Sequence, residues 1–319
     1  MTSKGPEKMT DLTIGIDISK HHLDAACVTS GRQERFANDA AGLRALKRWI
    51  GPAGRVARLV YEATGRYHAG LEAAFAGWPL VRVNPLRARR FAEACGTRAK
   101  TDAIDARMLA RMGDRLELPP DPPASPVMRE LQALQTARAG LVRDRIALIQ
   151  RADAARLALL KRQTGRALRL VEAQLAEIEA EISTRIAADR QLARRQEILA
   201  SIPGVGPRLS ATLVVGMTEL GAAPGKAIAA LAGLAPLTRQ SGDWTGRARV
   251  SGGRGDVRRA LYMPALNAIR HNPDMRRFYD RLGAAGKPAK VAIVAVMRKL
   301  LVLANALIAQ DRLWEPRPA

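Results

Sequence analysis

Over its first third, the chain alternates apolar and polar residues in the way typical of strands separated by helices. The predicted strands lie at residues 12–19, 23–30, 55–63 and 79–84. The predicted helices lie at residues 40–50, 66–76, 86–94 and 102–114. Strands that alternate with helices after an opening hairpin indicate an α/β domain with a mixed sheet.

A proline-rich segment, LELPPDPPASP at residues 116–126, interrupts this pattern and predicts a domain boundary. From residue 127 to about residue 199 the chain has no proline, and apolar residues recur at helical spacing. The segment RQTGR at residues 162–166 is the expected reversal point. The pattern predicts a long antiparallel helical hairpin or coiled coil.

The last third begins with SIPGVGPRLSATL at residues 201–213 and is mostly helical in pattern. A Gly/Arg-rich loop interrupts it from about Arg239 to Asp256. We therefore expect three parts: an α/β domain at residues 10–118, a helical hairpin or coiled-coil linker at 127–199, and a mostly α-helical domain at 200–310.

The charge of the chain indicates a polyanionic partner. Lys and Arg total 52 against 30 acidic residues, a formal charge of +22. Arginine pairs with phosphate in a bidentate manner, so the excess favours nucleic acid. Cys27 and Cys95 form no CxxC pair, and no signal peptide or apolar run of transmembrane length stands out. These features predict a cytoplasmic, nucleoid-associated protein.

Four acidic residues are candidates for metal binding. Asp17 lies inside the apolar strand TIGIDIS, and Glu62 ends the apolar strand LVYE. Asp102 and Asp105 are three residues apart on a predicted helix, a spacing that puts them on one face. Singly, each acid is more readily an edge or surface residue. If they meet at one sheet edge, they provide oxygen ligands for two Mg²⁺ ions.

A glycine turn precedes the helix in IPGVGPRLSATLVV at residues 202–215, and it resembles a helix-hairpin-helix. Gly204 and Gly206 expose backbone N–H groups at a helix N-terminus, where phosphate binds readily. The alternative is a plain turn between two packed helices. Lys100 and Arg107, which flank the aspartate pair, are further candidate phosphate contacts.

The Gly/Arg-rich loop is the most basic segment of the last third. Its arginines are Arg239, Arg247, Arg249, Arg254, Arg258 and Arg259. Ser241 lies near its start, but a serine hydroxyl is a weak nucleophile until a base, a metal or a positive field activates it. On chemistry alone, the loop is more readily an anchor for a nucleic-acid backbone.

Several motifs together resemble a known family. GIDISK, YEATG and KTDAIDA are similar to the Asp-Glu-Asp-Asp signature of the RuvC-like, RNase H-fold domain of IS110 insertion-sequence transposases, a family that includes the Piv-type DNA invertases. SGDWTGRARVSGGRGDVRRALYM, with GKPAKVAIVAVMRKLL at 286–301, is similar to the C-terminal transposase domain of the same family. The resemblance covers residues 11 to about 114 and 200 to about 308.

The resemblance implies that the four acids bind Mg²⁺, two ions being expected, and that the C-terminal domain supplies a serine nucleophile. We place this nucleophile at Ser241, with Ser251 as the weaker competitor. The implied function is a transposase that cuts and rejoins DNA through a serine-linked intermediate. The implied partners are donor and target double-stranded DNA and a structured bridge RNA. Because strand exchange needs at least two active sites, we also expect a dimer or tetramer, with the helices of residues 127–199 as the assembly surface.

Three alternatives remain open at this point. A metal-dependent nuclease or Holliday-junction resolvase would use the four acids to activate water and would need no serine. A site-specific DNA invertase would use the same chemistry with inversion as the outcome. A non-catalytic nucleic-acid-binding assembly protein would carry the acids only as surface charges.

Overall fold

The chain divides into two structural units, Met1–Ala124 and Ser125–Ala319. The computed structural model describes residues 12–62, 67–96, 102–121, 125–238, 240–241, 244–246 and 248–316; the side chains of residues 102, 103, 241, 244 and 245 are outside this description. Each unit is described by itself below. Whether residues 127–199 form a separate linker domain stays a prediction.

The first unit contains a five-stranded mixed sheet in the order β3-β2-β1-β4-β5. The strands are β1 (Leu12–Ile18), β2 (His22–Cys27), β3 (Gln33–Ala37), β4 (Val56–Glu62) and β5 (Leu80–Val83). The first three pair antiparallel, and β4 and β5 run parallel to β1. The predicted α/β class is confirmed for this unit, and the sheet is compatible with an RNase H-like domain.

Helices cover both faces of this sheet. They are α1 (Ala40–Ile50), α2 (Ala69–Ala74), α3 (Pro85–Ala94) and α4 (Asp102–Arg115), with one 3₁₀ turn at Ala53–Arg55. Ile14, Ile16 and Ile18 project to one face, where they pack in a cluster with residues of α1 and α2. Alternate residues of a strand point to opposite faces, so Thr13, Gly15 and Asp17 face the side of α4.

Strand β3 is the element of this sheet that the hydrophobic pattern does not predict. Only Phe36 of its five residues is buried. An edge strand with one buried side chain lacks the alternation on which strand prediction depends, and its backbone pairing with β2 forms it instead.

The second unit is mostly helical, as predicted. Its helices are α5 (Pro126–Ala154), α6 (Ala158–Ala188), α7 (Arg190–Ala200), α8 (Pro207–Gly216), α9 (Gly225–Leu231), α10 (Gly255–Ala260), α11 (Tyr262–His271), α12 (Pro273–Ala284) and α13 (Ala289–Ala309). The short strands β6 (Pro236–Leu237), β7 (Gln240–Ser241), β8 (Trp244–Thr245) and β9 (Arg249–Val250) lie between α9 and α10.

Helices α5 and α6 form the predicted hairpin, but the reversal point is wrong. The chain turns at residues 155–157, and α6 continues through Gly165. A single glycine costs a helix only about 1 kcal/mol, and the Leu, Ala, Arg and Gln residues around it are strong helix formers. The supercoiling of this hairpin stays a prediction.

Helix α13 lies in the core of the second unit. Its residues Val296, Leu300, Leu301 and Leu307 are almost fully buried in a cluster that also includes Ile186 of α6. By length and composition α13 is apolar enough to cross a membrane, a candidate that the sequence analysis missed. Burial of half of its apolar window is typical of a core helix.

Candidate active site

Asp17 and Glu62 end two neighbouring parallel strands. Gly15 pairs with Val60 and Ile16 with Tyr61 in the register of β1 and β4, so the next step of the register brings Asp17 level with Glu62. Adjacent strands lie about 4.8 Å apart. Both residues are half-buried, and both have electrostatic or hydrogen-bonding contacts within the protein. The two carboxylates therefore share one edge of the sheet.

The backbone of α4 lies directly on β1. A Cβ atom on Gly15 would be 2.1 Å from the carbonyl oxygen of Ala106 and 2.3 Å from the amide nitrogen of Ala110. A Cβ atom on Gly113 would be 2.4 Å from Cγ2 of Val60. No side chain fits at these contacts. Both glycines are therefore required for α4 to pack this close to the sheet.

The direction of α4 brings its first turn to the acid-bearing edge. Gly113 lies over Thr13 and Val60, whereas Ala106 and Ala110 lie over Gly15. A helix rises about 1.5 Å and a strand about 3.3 Å per residue, so two further strand residues match about four helical residues. Continuing from Gly15 to Asp17 therefore reaches the first turn of α4.

The first turn of α4 contains Asp102 and Asp105. Asp105 is half-buried and lies one turn before Leu109, which packs with Val60 of β4. Asp102 lies one turn before Ala106, which contacts β1. The backbone thus brings the ends of β1 and β4, at Asp17 and Glu62, and the first turn of α4, which contains Asp102 and Asp105, to one edge and one face of the sheet.

A fifth acid, Asp24, lies beside Asp17. The two residues are paired across β1 and β2, so their side chains share a face. Asp24 is buried, and its Oδ1 accepts a hydrogen bond of 3.0 Å from Nε of Arg35. This ion pair compensates one of two neighbouring negative charges. Sequence reasoning left Asp24 out because it lies outside the family motifs, although an aspartate in the apolar strand HLDAAC is a visible signal.

Arg107 joins α4 to the edge strand of the sheet. Its Nη2 donates a hydrogen bond of 2.7 Å to the side-chain carbonyl of Gln33 on β3. The residue is exposed and two positions beyond Asp105. Its predicted contact with phosphate stays a prediction, and Lys100 lies outside the described residues.

In the second unit, Ser241 lies on β7 of a β-ribbon whose described strands are β6, β7, β8 and β9. At the base of the ribbon Pro236 pairs with Val250 and Leu237 with Arg249. Further along, Gln240 pairs with Thr245 and Ser241 with Trp244. Ser241 is the last residue of β7. Ser251, its competitor, follows β9 at the base of the ribbon and is exposed.

Two glycines at positive φ fasten the base of this ribbon. Gly233 (φ 67°) and Gly253 (φ 62°) pack backbone against backbone: a Cβ atom on Gly253 would be 2.2 Å from the amide nitrogen of Gly233. Arg258 Nη1 donates to the carbonyl oxygens of Gly252 at 2.7 Å and Gly233 at 3.2 Å. The two ends of the ribbon are therefore held together by hydrogen bonds as well as by contact.

Arg254 anchors the same base to α8 and the residues that follow it. Its guanidinium donates two hydrogen bonds to the carboxylate of Glu219, at 2.5 and 2.6 Å, and one of 2.8 Å to the carbonyl oxygen of Gly216. Burial raises the pKa of the Glu219 carboxyl, but the hydrogen bonds and charge of Arg254 outweigh it, and the pKa lies below its usual value.

The six arginines of the loop therefore differ in their environments. Arg254 and Arg258 use their guanidinium groups within the protein. Arg249 is exposed, and Arg259 is exposed and paired with Asp256. Arg239 and Arg247 lie outside the described residues. Internal hydrogen bonds do not test nucleic-acid binding, which stays a prediction for all six.

The predicted phosphate turn joins α7 and α8. Gly204 has φ 97°, and a Cβ atom there would be 2.7 Å from Ala268 on α11, so this glycine serves helix packing. Gly206 is exposed, has no neighbouring atom within 4 Å of a Cβ position, and precedes α8 without a side-chain cap. Phosphate binding at this turn stays a prediction, and Gly206 is its open position.

Two family comparisons cover both ends of the chain. Residues 14–155 match the DEDD transposase of IS110 elements, and residues 196–280 match the family described as "Transposase IS116/IS110/IS902 family". The "Pilin gene-inverting protein" of Moraxella bovis is 32% identical over 324 residues, which cover 97% of this chain and 99% of that protein. The chain belongs to the IS110 transposase family.

Two further relatives match a smaller part of the transposase. The "Insertion element IS110 uncharacterized 43.6 kDa protein" of Streptomyces coelicolor is 33% identical over 38% of this chain and 30% of its own length. The "Insertion element IS900 uncharacterized 42 kDa protein" of Mycobacterium paratuberculosis is 35% identical over 39% of this chain and 32% of its own length. The family resemblance is confirmed, and the transposase is an enzyme of DNA recombination.

We call the edge of the sheet formed by Asp17, Glu62 and the first turn of α4 the acid edge. Its donor groups suit a hard divalent cation. Carboxylate oxygens are the ligands that Mg²⁺ prefers, and the carboxylates lie where the buried strands end. Among the residues whose side chains the structure describes, no group of three or more His, Cys, Asp or Glu side chains is close enough to hold a metal ion. The side chain of Asp102 is not among them. The residues at this edge fit a divalent cation by donor type, and a metal site formed by all four acids stays a prediction.

Proposed function

We propose that this transposase cuts and rejoins DNA through a transient serine-linked intermediate, with Ser241 as the nucleophile and divalent metal at the acid edge. The observation that carries the proposal is the convergence of the two strand ends at Asp17 and Glu62 with the first turn of α4. Asp17, Glu62, Asp102 and Asp105 would hold the metal, which we expect to be Mg²⁺. When bound, it would polarise the scissile phosphate and stabilise the leaving oxygen.

In this mechanism the Oγ atom of Ser241 attacks the phosphorus atom of the scissile phosphodiester. A new Oγ–P ester forms while the bond from phosphorus to the 3′ oxygen breaks, and the 3′ oxygen leaves as a hydroxyl group after protonation. The serine proton passes to water. Because the ester retains the energy of the broken linkage, a second DNA 3′ hydroxyl can reverse the step and rejoin the strand.

The arginines of the ribbon support this chemistry in two ways. Arg254 and Arg258 hold the base of the ribbon, and the position of Ser241 depends on that base. Arg249 and Arg259 present exposed guanidinium groups that suit phosphate oxygens. We assign the same contact to Arg239 and Arg247 on their sequence position alone.

Capture of a covalent protein–DNA adduct tests the nucleophile. The full-length protein is incubated with labelled DNA that flanks its gene, and adducts are separated under denaturing conditions. Ser241→Ala should abolish the adduct, whereas the matched variant Ser251→Ala should retain it. Cleavage at the wild-type rate without an adduct in Ser241→Ala would favour the water-activating nuclease instead.

A second variant tests the acid edge. Asp105→Asn keeps the size of the side chain and removes one negative charge, so we expect cleavage to fall by more than about a hundredfold, beyond the effect of removing an outer-shell partner. Asp114→Asn is the matched control, since Asp114 is an exposed acid near the other end of α4. Equal activity of the two variants would favour a non-catalytic role for the acids.

Inversion is the second candidate outcome of the reaction. Relatives that match over nearly the whole length are named "Pilin gene-inverting protein", whereas the two insertion-element relatives described above match over less than half of the chain. A plasmid with two inverted copies of the element end, scored by PCR for inversion and for insertion elsewhere, separates the two outcomes.

Assembly and an RNA partner complete the proposal. Strand exchange requires at least two active sites, and we propose that α5 and α6 contribute to a dimer or tetramer. Large apolar side chains are exposed around their turn: Ile146, Ile149, Leu157, Leu159, Leu160 and Leu170. Light scattering of the purified protein measures its mass, and RNase treatment of the material that copurifies with it tests for a structured RNA.

A further inference from the structure

Helix α3 begins at the acid edge of the sheet. Val83, the last residue of β5, pairs in register with Glu62. Helix α3 starts two residues later at Pro85, with the Asn84 side chain accepting a hydrogen bond of 3.0 Å from the Leu86 amide. Even a fully extended chain puts the Cα of Arg87 within about 14 Å of Val83, and Arg90 lies about 4.5 Å further along the helix.

The packing of α3 leaves one flank of arginines in solvent. Ala88 and Phe91 pack against the cluster that includes Leu109 of α4. Arg87 and Arg90 are three residues apart, so they share a different flank of the helix, and both are exposed. The helix thus uses one side for the core and presents two guanidinium groups on another.

These two arginines differ from their neighbours in having no acidic partner. Arg89 forms an ion pair with Glu93, Arg82 with Glu72 and Arg35 with Asp24. For Arg87 and Arg90, no ion pair forms with any residue that the structure describes, and the first turn of α3 has no acid. Their positive charge is therefore available to a ligand.

We propose that Arg87 and Arg90 bind the phosphodiester backbone of the DNA strand that enters the acid edge. This inference rests on the proposed function, since it takes the acid edge as the place where DNA is cut. Several carboxylates at that edge repel a polyanion, and two nearby guanidinium groups offset the repulsion. Arginine forks bind phosphate oxygens in a bidentate manner, which gives position as well as charge.

Binding of a short fluorescein-labelled DNA duplex by the full-length protein tests this site. The measurement is made in EDTA, so that no strand is cut and a failure of the serine mechanism leaves the result unaffected. Replacing both arginines (Arg87→Gln with Arg90→Gln) should weaken binding about tenfold. The slope of log K against the logarithm of the salt concentration should also become less steep by about 1.8, the value for two lost phosphate contacts.

The matched control replaces two exposed arginines on the opposite face of the same sheet. Arg44 and Arg48 lie on α1, which packs against the face away from α4, and their loss removes the same charge. Arg44→Gln with Arg48→Gln should leave both values near those of the wild type. Arg87→Lys with Arg90→Lys, which keeps the charge, should restore most of the affinity.

Three results would overturn the proposal: unchanged DNA binding after loss of Arg87 and Arg90, an equal loss in the α1 control, or a loss confined to an RNA duplex of the same sequence. Thermal unfolding of each variant separates lost contacts from lost folding. Because all four arginines are exposed, we expect their unfolding free energies to stay within about 0.5 kcal/mol of the wild type.

Discussion

The acid edge and the serine ribbon both depend on glycine contacts, but different forces hold them. At the acid edge, α4 lies on β1 at Gly15, and a buried apolar cluster of β4, β5 and α4 surrounds the contact. At the ribbon, Gly233 and Gly253 touch each other, and hydrogen bonds from Arg254 and Arg258 supply the rest. Apolar packing thus positions the acids. Hydrogen bonds at the base of the ribbon position the short strands that include Ser241.

The difference suggests a division of work between the two regions. Ligands for metal must keep a fixed geometry, which a rigid helix on a sheet provides. In the proposed mechanism, Ser241 has to approach and leave its DNA target, which a short ribbon permits. Substitutions at the glycine contacts of the two regions should therefore differ in how far their destabilising effect extends through the protein.

The largest effect is expected at Gly15. In Gly15→Ala the new methyl group would collide with the backbone of α4, so that helix must shift, and the first unit should lose about 3 kcal/mol of unfolding free energy or more. Hydrogen exchange of the β1 and β4 amides measures this loss. Gly54→Ala is the control, because no atom lies within 4 Å of its Cβ position. Equal stability of the two variants would show that the contact is dispensable.

A smaller effect is expected at Gly253. Both Gly252 (φ 69°) and Gly253 (φ 62°) have positive φ, so alanine at either position costs about 1 kcal/mol of backbone strain. Gly253→Ala also collides with Gly233, which should add about 2 kcal/mol, whereas no atom of the described residues lies within 4 Å of the Cβ position at Gly252. Exchange of the Arg254 amide, bonded to the Leu231 carbonyl at 2.7 Å, is the measurement.

The Gly253 comparison also separates the two regions. Adduct formation should fall in Gly253→Ala, while exchange at β1 and β4 should stay unchanged. A loss of protection in the first unit would contradict the view that the ribbon has its own local support.

The smallest effect is expected at Glu219. The pKa of its carboxyl in the folded protein lies below the usual value of about 4.3. Above about pH 4.3 the ion pair with Arg254 therefore makes its full contribution to the free energy of unfolding. The contribution is lost as the pH falls through the lowered pKa. Since both side chains are about one-third exposed, we expect the ion pair to contribute about 1 kcal/mol to the free energy of unfolding. Thermal unfolding from about pH 7 to pH 3 should show a weaker pH dependence in Glu219→Gln; an identical dependence would contradict this assignment.

Much of the first unit follows from local sequence pattern. Short apolar runs predicted four of its five strands, because most residues of β1, β2 and β4 are buried on both faces of the sheet. The missed strand β3 has a single buried side chain, and the hairpin reversal was misplaced at Gly165 because one glycine does not end a helix of strong formers. Backbone pairing with β2 forms β3, and helix propagation carries α6 through Gly165. In both places these effects outweigh the preference of the local sequence.

The sequence by itself determined the family, the acids and the candidate serine, because short motifs specify which chemical groups are present. Tertiary structure decided which groups meet. Register brings Asp17 level with Glu62, and the missing side chain of Gly15 lets α4 carry its two aspartates to the same edge. Arg254 is likewise one more arginine in the sequence, and only the fold brings Glu219 to it. Contacts between residues far apart in the chain depend on packing and register, which no local pattern contains.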